Sequence, residues 1–212
     1  MVRICLIIMI NGLLFSQSKY PADTLILSKT TPFINKIGIL PISLWQRLSY
    51  NTNIFNCQFY PSCSNYGADA IGDKGIIKGS IMASERITRC NPFAYNYHVE
   101  LSSPFNEEDS RLIDPIKLKS PSSSNRSPLV AGILSAFIPG IGRAYAGRTM
   151  DGILGFWTFC LLSTSANQSL KNNRTITGSL FLTLTAVAYF GEIYGSWRAA
   201  KYYQEVKTAE AK

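Results

Sequence analysis

Apolar residues run almost unbroken from Ile4 to Phe15, with Arg3 ahead of them and the small residues Ser16 and Ser18 behind. The run falls short of the roughly 20 residues a bilayer-spanning helix needs. Its order of basic, apolar and small residues is that of an export signal over residues 1–18, with an uncleaved anchor as the alternative. A polar lead-in follows, and then "FINKIGILPISLWQRLSY" at 33–50. Pro41 fits the first turn of a helix, where its missing N–H costs nothing. From there Leu44, Trp45 and Leu48 share one face, with Ser43, Gln46 and Arg47 opposite. A short amphipathic helix of this kind either rests on a bilayer or packs on a neighbouring domain.

The next pattern is a pair of helices within 57–97. Ser62 or Ser64 caps a helix beginning near Asn65, which Gly72 and Gly75 end. In "GIIKGSIMASERITRC", Ile77, Ile81 and Ser84 form one stripe and Ile76, Ala83 and Ile87 an adjacent one. That arrangement leaves Lys78, Glu85, Arg86 and Arg89 for the remaining surface. Asn91 precedes Pro92 and so avoids the helical region, which stops the second helix. Lys74 and Lys78, like Arg86 and Arg89, are about one turn apart, the spacing of a basic stripe for anionic headgroups or of a solvated face. A hairpin this small is not stable alone and needs a staple, a membrane or a partner.

Residues 98–127 read as a linker, acidic at Glu107, Glu108 and Asp109 and then "SPSSSNRSP". Beyond it, 128–205 is lipid-like, followed by a polar tail at 206–212. "PLVAGILSAFIPGIG" at 128–142 is broken by Pro139 and suits a re-entrant or interfacial segment; 151–166 is a marginal span. Residues 176–197 are long enough to cross, with Tyr189, Tyr194 and Trp197 toward one end, where an aromatic belt belongs. Glu192 lies near that end and is expected at the interface. The predicted fold is mainly α. It joins a small helical hairpin domain and its amphipathic lead helix (19–56) to a C-terminal helical transmembrane module.

Composition agrees. Charged residues are 16% of the chain, against roughly 25% in soluble domains. The net charge of +8 is scattered between apolar runs without a dense Lys/Arg tract. That distribution favours an anionic lipid surface over nucleic acid as the partner.

The stretch "NCQFYPSCSNYGADAIGDKGIIKGSIMASERITRCNPF" resembles the membrane protein insertion efficiency factor (YidD) family. The family pattern C-R-F-x-P-S-C-S-x-Y is met by Cys57, Phe59, Pro61, Ser62, Cys63, Ser64 and Tyr66. Its A-I-x-x-x-G-x-x-K-G is met by Ala70, Ile71, Gly75, Lys78 and Gly79, and its R-I-x-R-C-N-P-F by Arg86, Ile87, Arg89, Cys90, Asn91, Pro92 and Phe93. "LPISLWQRLSY" looks like the family's amphipathic lead helix, and the likeness covers about residues 37–97. It implies a small membrane-associated protein that assists insertion of nascent membrane proteins beside the SecYEG translocon and the YidC insertase, with no reaction of its own.

Three features depart from the pattern. Gln58 replaces the Arg after the first cysteine, and the closing G-G-x-D-P-V-P survives only as "RLIDPI" at 111–116, after an insertion. Typical members are also short, lack a cleaved signal and act from the cytoplasmic face. "SAFIPGIGRAYAGR" at 135–148 resembles a hairpin module of other bacterial membrane proteins, in which P-G-x-G-x-x-Y-x-G-R leads into a span.

Several chemistries are open to the cysteines. Cys57, Cys63 and Cys90 with His98 would make a zinc set, but the Cys-x5-Cys spacing is wider than the usual knuckle, and His98 is the single histidine. One disulfide among the three suits an exported domain, and closing the Cys57–Cys63 loop would contribute about 2 kcal/mol. The same residues with Phe59, Pro61 and Tyr66 also suit a small core over a tight corner. Catalysis finds little support: the single histidine is the one candidate base for the thiols, no nucleophile elbow appears, and Asp69 with Asp73 reads as a solvated pair. No metal, cofactor or small-molecule substrate is therefore expected. Trp45, Arg47, Lys74, Lys78, Arg86 and Arg89 are the residues expected to face lipid or the insertion machinery in a bacterial inner membrane. The competing reading is an exported envelope protein, stabilised by a disulfide or zinc and anchored by its C-terminal module.

Overall fold

A computed structural model describes residues 20–52, 57–116 and 126–202. The expected export signal, the serine-rich stretch up to 125 and the polar tail lie outside the described residues. Within them the chain is helical: α1 (Pro21–Leu27), α2 (Phe33–Ser49), α3 (Cys63–Lys74), α4 (Ile76–Arg89), α5 (Ala94–Glu100), α6 (Pro128–Phe137), α7 (Ile141–Tyr145), α8 (Thr149–Lys171) and α9 (Thr175–Tyr202). Two short strands, β1 (Phe59–Tyr60) and β2 (Leu112–Ile113), pair in parallel with Phe59 opposite Leu112.

Local signals set the ends of α3. The Ser62 hydroxyl accepts from the Asn65 N–H, and Gly75, at φ 85°, turns the chain into α4. Gly79 then lets α4 lie directly on α3, because a Cβ there would collide with the Ile71 backbone. Helix α2 packs on α3 and carries α1, and α9 packs against α8, α6 and α4. The helix expected to start at Pro41 starts at Phe33 and runs through it. The ladder bond that Pro41 removes is the one to the Ile37 carbonyl.

Residues 98–116 are not a free linker. The Leu112 N–H donates to the Gln58 carbonyl at 2.9 Å and the Asp114 N–H to Tyr60 at 3.1 Å, which draws "RLIDPI" back onto the motif. Non-local pairing of this kind leaves no mark on local composition.

Apolar cores are small. Ala22, Ile39, Ala68 and Ile71 form one beneath α2, Tyr66, Ala70 and Met82 another between α3 and α4, and Ala131, Ala146, Ala199 and Ala200 a third where α6, α7 and α9 meet. Among the largest fully buried side chains are instead Arg86, Arg89, Arg143 and Arg198. Among the described residues, α9 is long and apolar enough to cross a membrane. At 1.5 Å per residue it extends about 42 Å.

Candidate functional site

Helix α2 buries Asn35, Ile39, Ser43, Gln46 and Ser49. The Gln46 amide accepts from the Ala22 N–H at 3.0 Å and donates to Asn65 Oδ1 at 2.8 Å. Asn35 donates to the Gly72 carbonyl, and Ser43 to Asp23, which also receives Arg47. With the polar face used up in this way, the apolar face points out. Phe33 is 78% exposed and Leu48 67%, with Ile37, Leu40, Leu44 and Trp45 along the same side.

Helix α4 has the same inversion. Its inward residues are Gly79, Met82, Glu85, Arg86 and Arg89, while Ile77 is 76% exposed and Ile87 62%. Arg86 and Arg89, expected on the surface beside Lys74 and Lys78, are therefore buried; of these four cations only the two lysines are exposed. Lys74 is paired with Asp73 at 2.8 Å. The expectation took the polar side of the helix as its outer side, whereas that side faces inward here. Arg47 likewise reaches Asp23 at 2.7 Å and the Tyr20 ring at 5.1 Å instead of projecting outward.

The buried charges form one layer between the motif region and the C-terminal helices. Arg86 donates to the Pro61 carbonyl at 2.7 Å and stands over the Phe59 and Tyr66 rings. Arg89 pairs with Glu85 and, at 2.6 Å, with Asp114. Arg198 comes in from α9 to Glu85, Asp114 and the Tyr66 hydroxyl. Arg143 meets Glu192 at 2.9 Å, and Arg148 meets Asp151, which receives the Asn91 amide at 2.7 Å. Burial works to raise the Glu85 pKa, but Arg89, Arg198 and Arg143 outweigh it and hold the carboxyl at about 2. Glu192, expected at an interface, is buried in this layer. Gly155 makes room for it, since a Cβ there would strike its carboxylate.

Sequence reasoning missed Asp114, Arg143, Arg148 and Asp151 as partners. The available signal was their charge: ionisable residues in a lipid-like module are expected to find one another.

The fold gathers Cys57, Cys63 and Cys90, whose sulfurs all lie within 4.8 Å of one another. They pack with Phe59, Ala94, Leu112 and Phe105. Hydrogen bonds from the Cys63 and Cys90 thiols hold the Cys57 pKa well below the thiol range, and the same coupling raises Cys63 and Cys90. His98 does not join them: its Nε2 lies 2.8 Å from the Pro104 carbonyl oxygen, and its ring stands edge-on to Phe105. Ser64 sits beside Gln46, and Asn91 closes the turn before α5 by accepting from the Phe93 N–H. Pro92 and Phe93 are exposed at that turn. Asp69 and Asp73 line an open cleft with Leu25, Thr30, Thr31, Gly72 and Ile116, and burial pushes the Asp69 carboxyl up.

Apolar helix faces turned outward, charges paired inside and, among the described residues, one helix long enough to cross are the features of a helical, membrane-associated protein. The family whose model matches, over residues 34–98, is described as "Putative membrane protein insertion efficiency factor" (YidD), and the chain belongs to that family. A relative of the same name from Thermoanaerobacter pseudethanolicus is 43% identical over 60 residues, 28% of this chain and 87% of its own length. One from Oleidesulfovibrio alaskensis is 48% identical over 59 residues, 28% of this chain and 69% of its own. Another, from Legionella pneumophila, is 37% identical over 68 residues, covering 32% and 84%. No solved structure matches the chain.

Proposed function

We propose that this protein is a non-enzymatic, membrane-bound accessory factor that aids insertion or assembly of bacterial inner-membrane proteins, beside machinery of the SecYEG and YidC type. The observation that carries the reading is the inversion of α2 and α4. Both spend their polar faces on internal hydrogen bonds and ion pairs and offer Phe33, Leu44, Trp45, Leu48, Ile77 and Ile87 to the outside. A helix so arranged gains most by lying in a headgroup–acyl boundary, where its apolar side leaves water. Lys74 and Lys78 supply positive charge beside that side, suited to anionic headgroups. The names of the relatives supply the task. In this arrangement 57–97 is the insertion-factor domain, 19–56 its lipid-facing lead, and 128–205 an added module locked to it by the ionic layer.

The test is an insertion assay in proteoliposomes holding a translocon and an insertase, with a nascent membrane protein as reporter. Adding the full chain raises the protease-resistant, inserted fraction several-fold, and a Leu44→Glu/Leu48→Glu/Ile77→Glu variant does not. Equal yields with and without the wild-type chain would overturn the proposal.

A further inference from the structure

The three thiols have no part in that lipid-facing role, yet they come from three separate places in the chain. Cys57 precedes β1, Cys63 opens α3 and Cys90 caps the end of α4. Because α3 and α4 fold back on each other through Gly75, the start of one and the end of the other meet, and β1 brings Cys57 to the same point. We infer that Cys57, Cys63 and Cys90 form a binding site for one thiophilic metal ion of the zinc class, with its fourth position left to water.

The geometry is close to what such an ion needs. Sulfurs held tetrahedrally at about 2.3 Å from zinc stand ~3.8 Å from one another. Here Cys57 and Cys63 are 3.4 Å apart, and all three sulfurs fall within 4.8 Å. Moving each by a few tenths of an ångström closes the set.

N–H donors are aimed at two of the sulfurs. The Cys63 N–H donates to Cys57 Sγ at 3.2 Å, and the Gln58 amide nitrogen lies 3.8 Å from Cys90 Sγ. Gln58 is held in that position by its bond to the Asn91 carbonyl at 2.8 Å. Backbone and side-chain N–H groups aimed at sulfur stabilise the charged form without competing for the metal. Phe59, which packs with the three cysteines, also carries the Arg86 and Arg89 guanidiniums over its ring.

Two features separate this from the alternatives. A disulfide would use two of the sulfurs and strand the third, whereas a metal uses all three. His98 is engaged with Pro104 and Phe105 and does not supply the fourth ligand, so the set is three thiolates and not three with an imidazole. Loading releases one proton for each thiol still protonated, and nothing is oxidised or reduced.

The full chain, purified in detergent under reducing conditions and stripped with a chelator, is titrated with cobalt(II). One equivalent produces a thiolate-to-cobalt charge-transfer band and four-coordinate visible bands, and zinc bleaches both. Cys57→Ser, Cys63→Ser and Cys90→Ser each weaken binding at least tenfold, while Cys160→Ser, on α8, leaves it unchanged. Because a serine variant could misfold, alkylation of the wild-type chain is followed by mass spectrometry: zinc shields Cys57, Cys63 and Cys90 together and not Cys160. Absence of the charge-transfer band, alkylation indifferent to zinc, or a disulfide among the three in protein taken from cells would each overturn the site. Insertion activity is not read in this experiment, so its failure leaves the proposed function standing.

Discussion

Arg198 of α9 reaches Glu85 of α4 at 3.1 Å, joining two buried side chains 113 positions apart in the sequence. Through this pair, and through Asp114 at 3.0 Å from the same guanidinium, the C-terminal module is bonded to the family domain instead of trailing from it. Removing one partner of a buried pair leaves the other charge uncompensated and costs about 3–5 kcal/mol. Arg198→Ala is therefore expected to lower stability by that order, measured by denaturation in detergent micelles followed by circular dichroism. Lys78→Ala, at an exposed position, is expected to change it by less than about 0.5 kcal/mol.

The same layer makes stability depend on acid. Glu85 is held at about 2 by Arg89, Arg198 and Arg143 against the opposing effect of burial, while its ordinary value is 4.5. A carboxyl lowered on folding contributes its stability in full above the unfolded value and loses it as pH falls toward the folded one. Thermal midpoints should therefore hold through neutral pH and fall between pH 4.5 and about 2. Glu85→Gln should begin lower at neutral pH and show a shallower acid limb.

Helix α4 touches α3 without a side chain between them at Gly79, where an added Cβ would meet the Ile71 backbone. Gly72, on the other helix, has among the described residues only the flexible end of Leu25 nearby, at 3.8 Å. Gly79→Ala should push the two helices apart and cost several kcal/mol, in the range of severe overpacking. Gly72→Ala should be neutral or slightly stabilising, since alanine favours a helix. Parallel denaturation of the two variants reads the contrast directly.

Much of the local structure was legible in the sequence. The Ser62 cap, the turn at Gly75, the stop at Asn91 and the spanning length of α9 all follow from residue types acting within a turn or two of themselves. The amphipathic axes of α2 and α4 were legible as well, but periodicity says only that two faces differ, not which medium each one meets. For that reason periodicity places Arg86 and Arg89 on the surface, whereas they lie inside, with Ile77 and Ile87 exchanged for them. The thiol motif was visible as spacing, but its convergence depends on α3 and α4 reversing at one glycine. Asp114 and Glu192 were hidden for another reason: their partners lie across the fold, and no window along the chain contains both members of either pair.

Accessibility of spin labels tests the inverted faces without reference to any assay of function. Nitroxides placed one at a time at Leu44, Leu48, Ile77 and Ile87 of the full chain in lipid nanodiscs should collide mainly with oxygen, which concentrates in hydrocarbon. Labels at Lys74 and Lys78 should collide mainly with a water-soluble nickel chelate. A nickel-dominated response at all four apolar positions would place α2 and α4 in water and contradict a platform that rests against lipid.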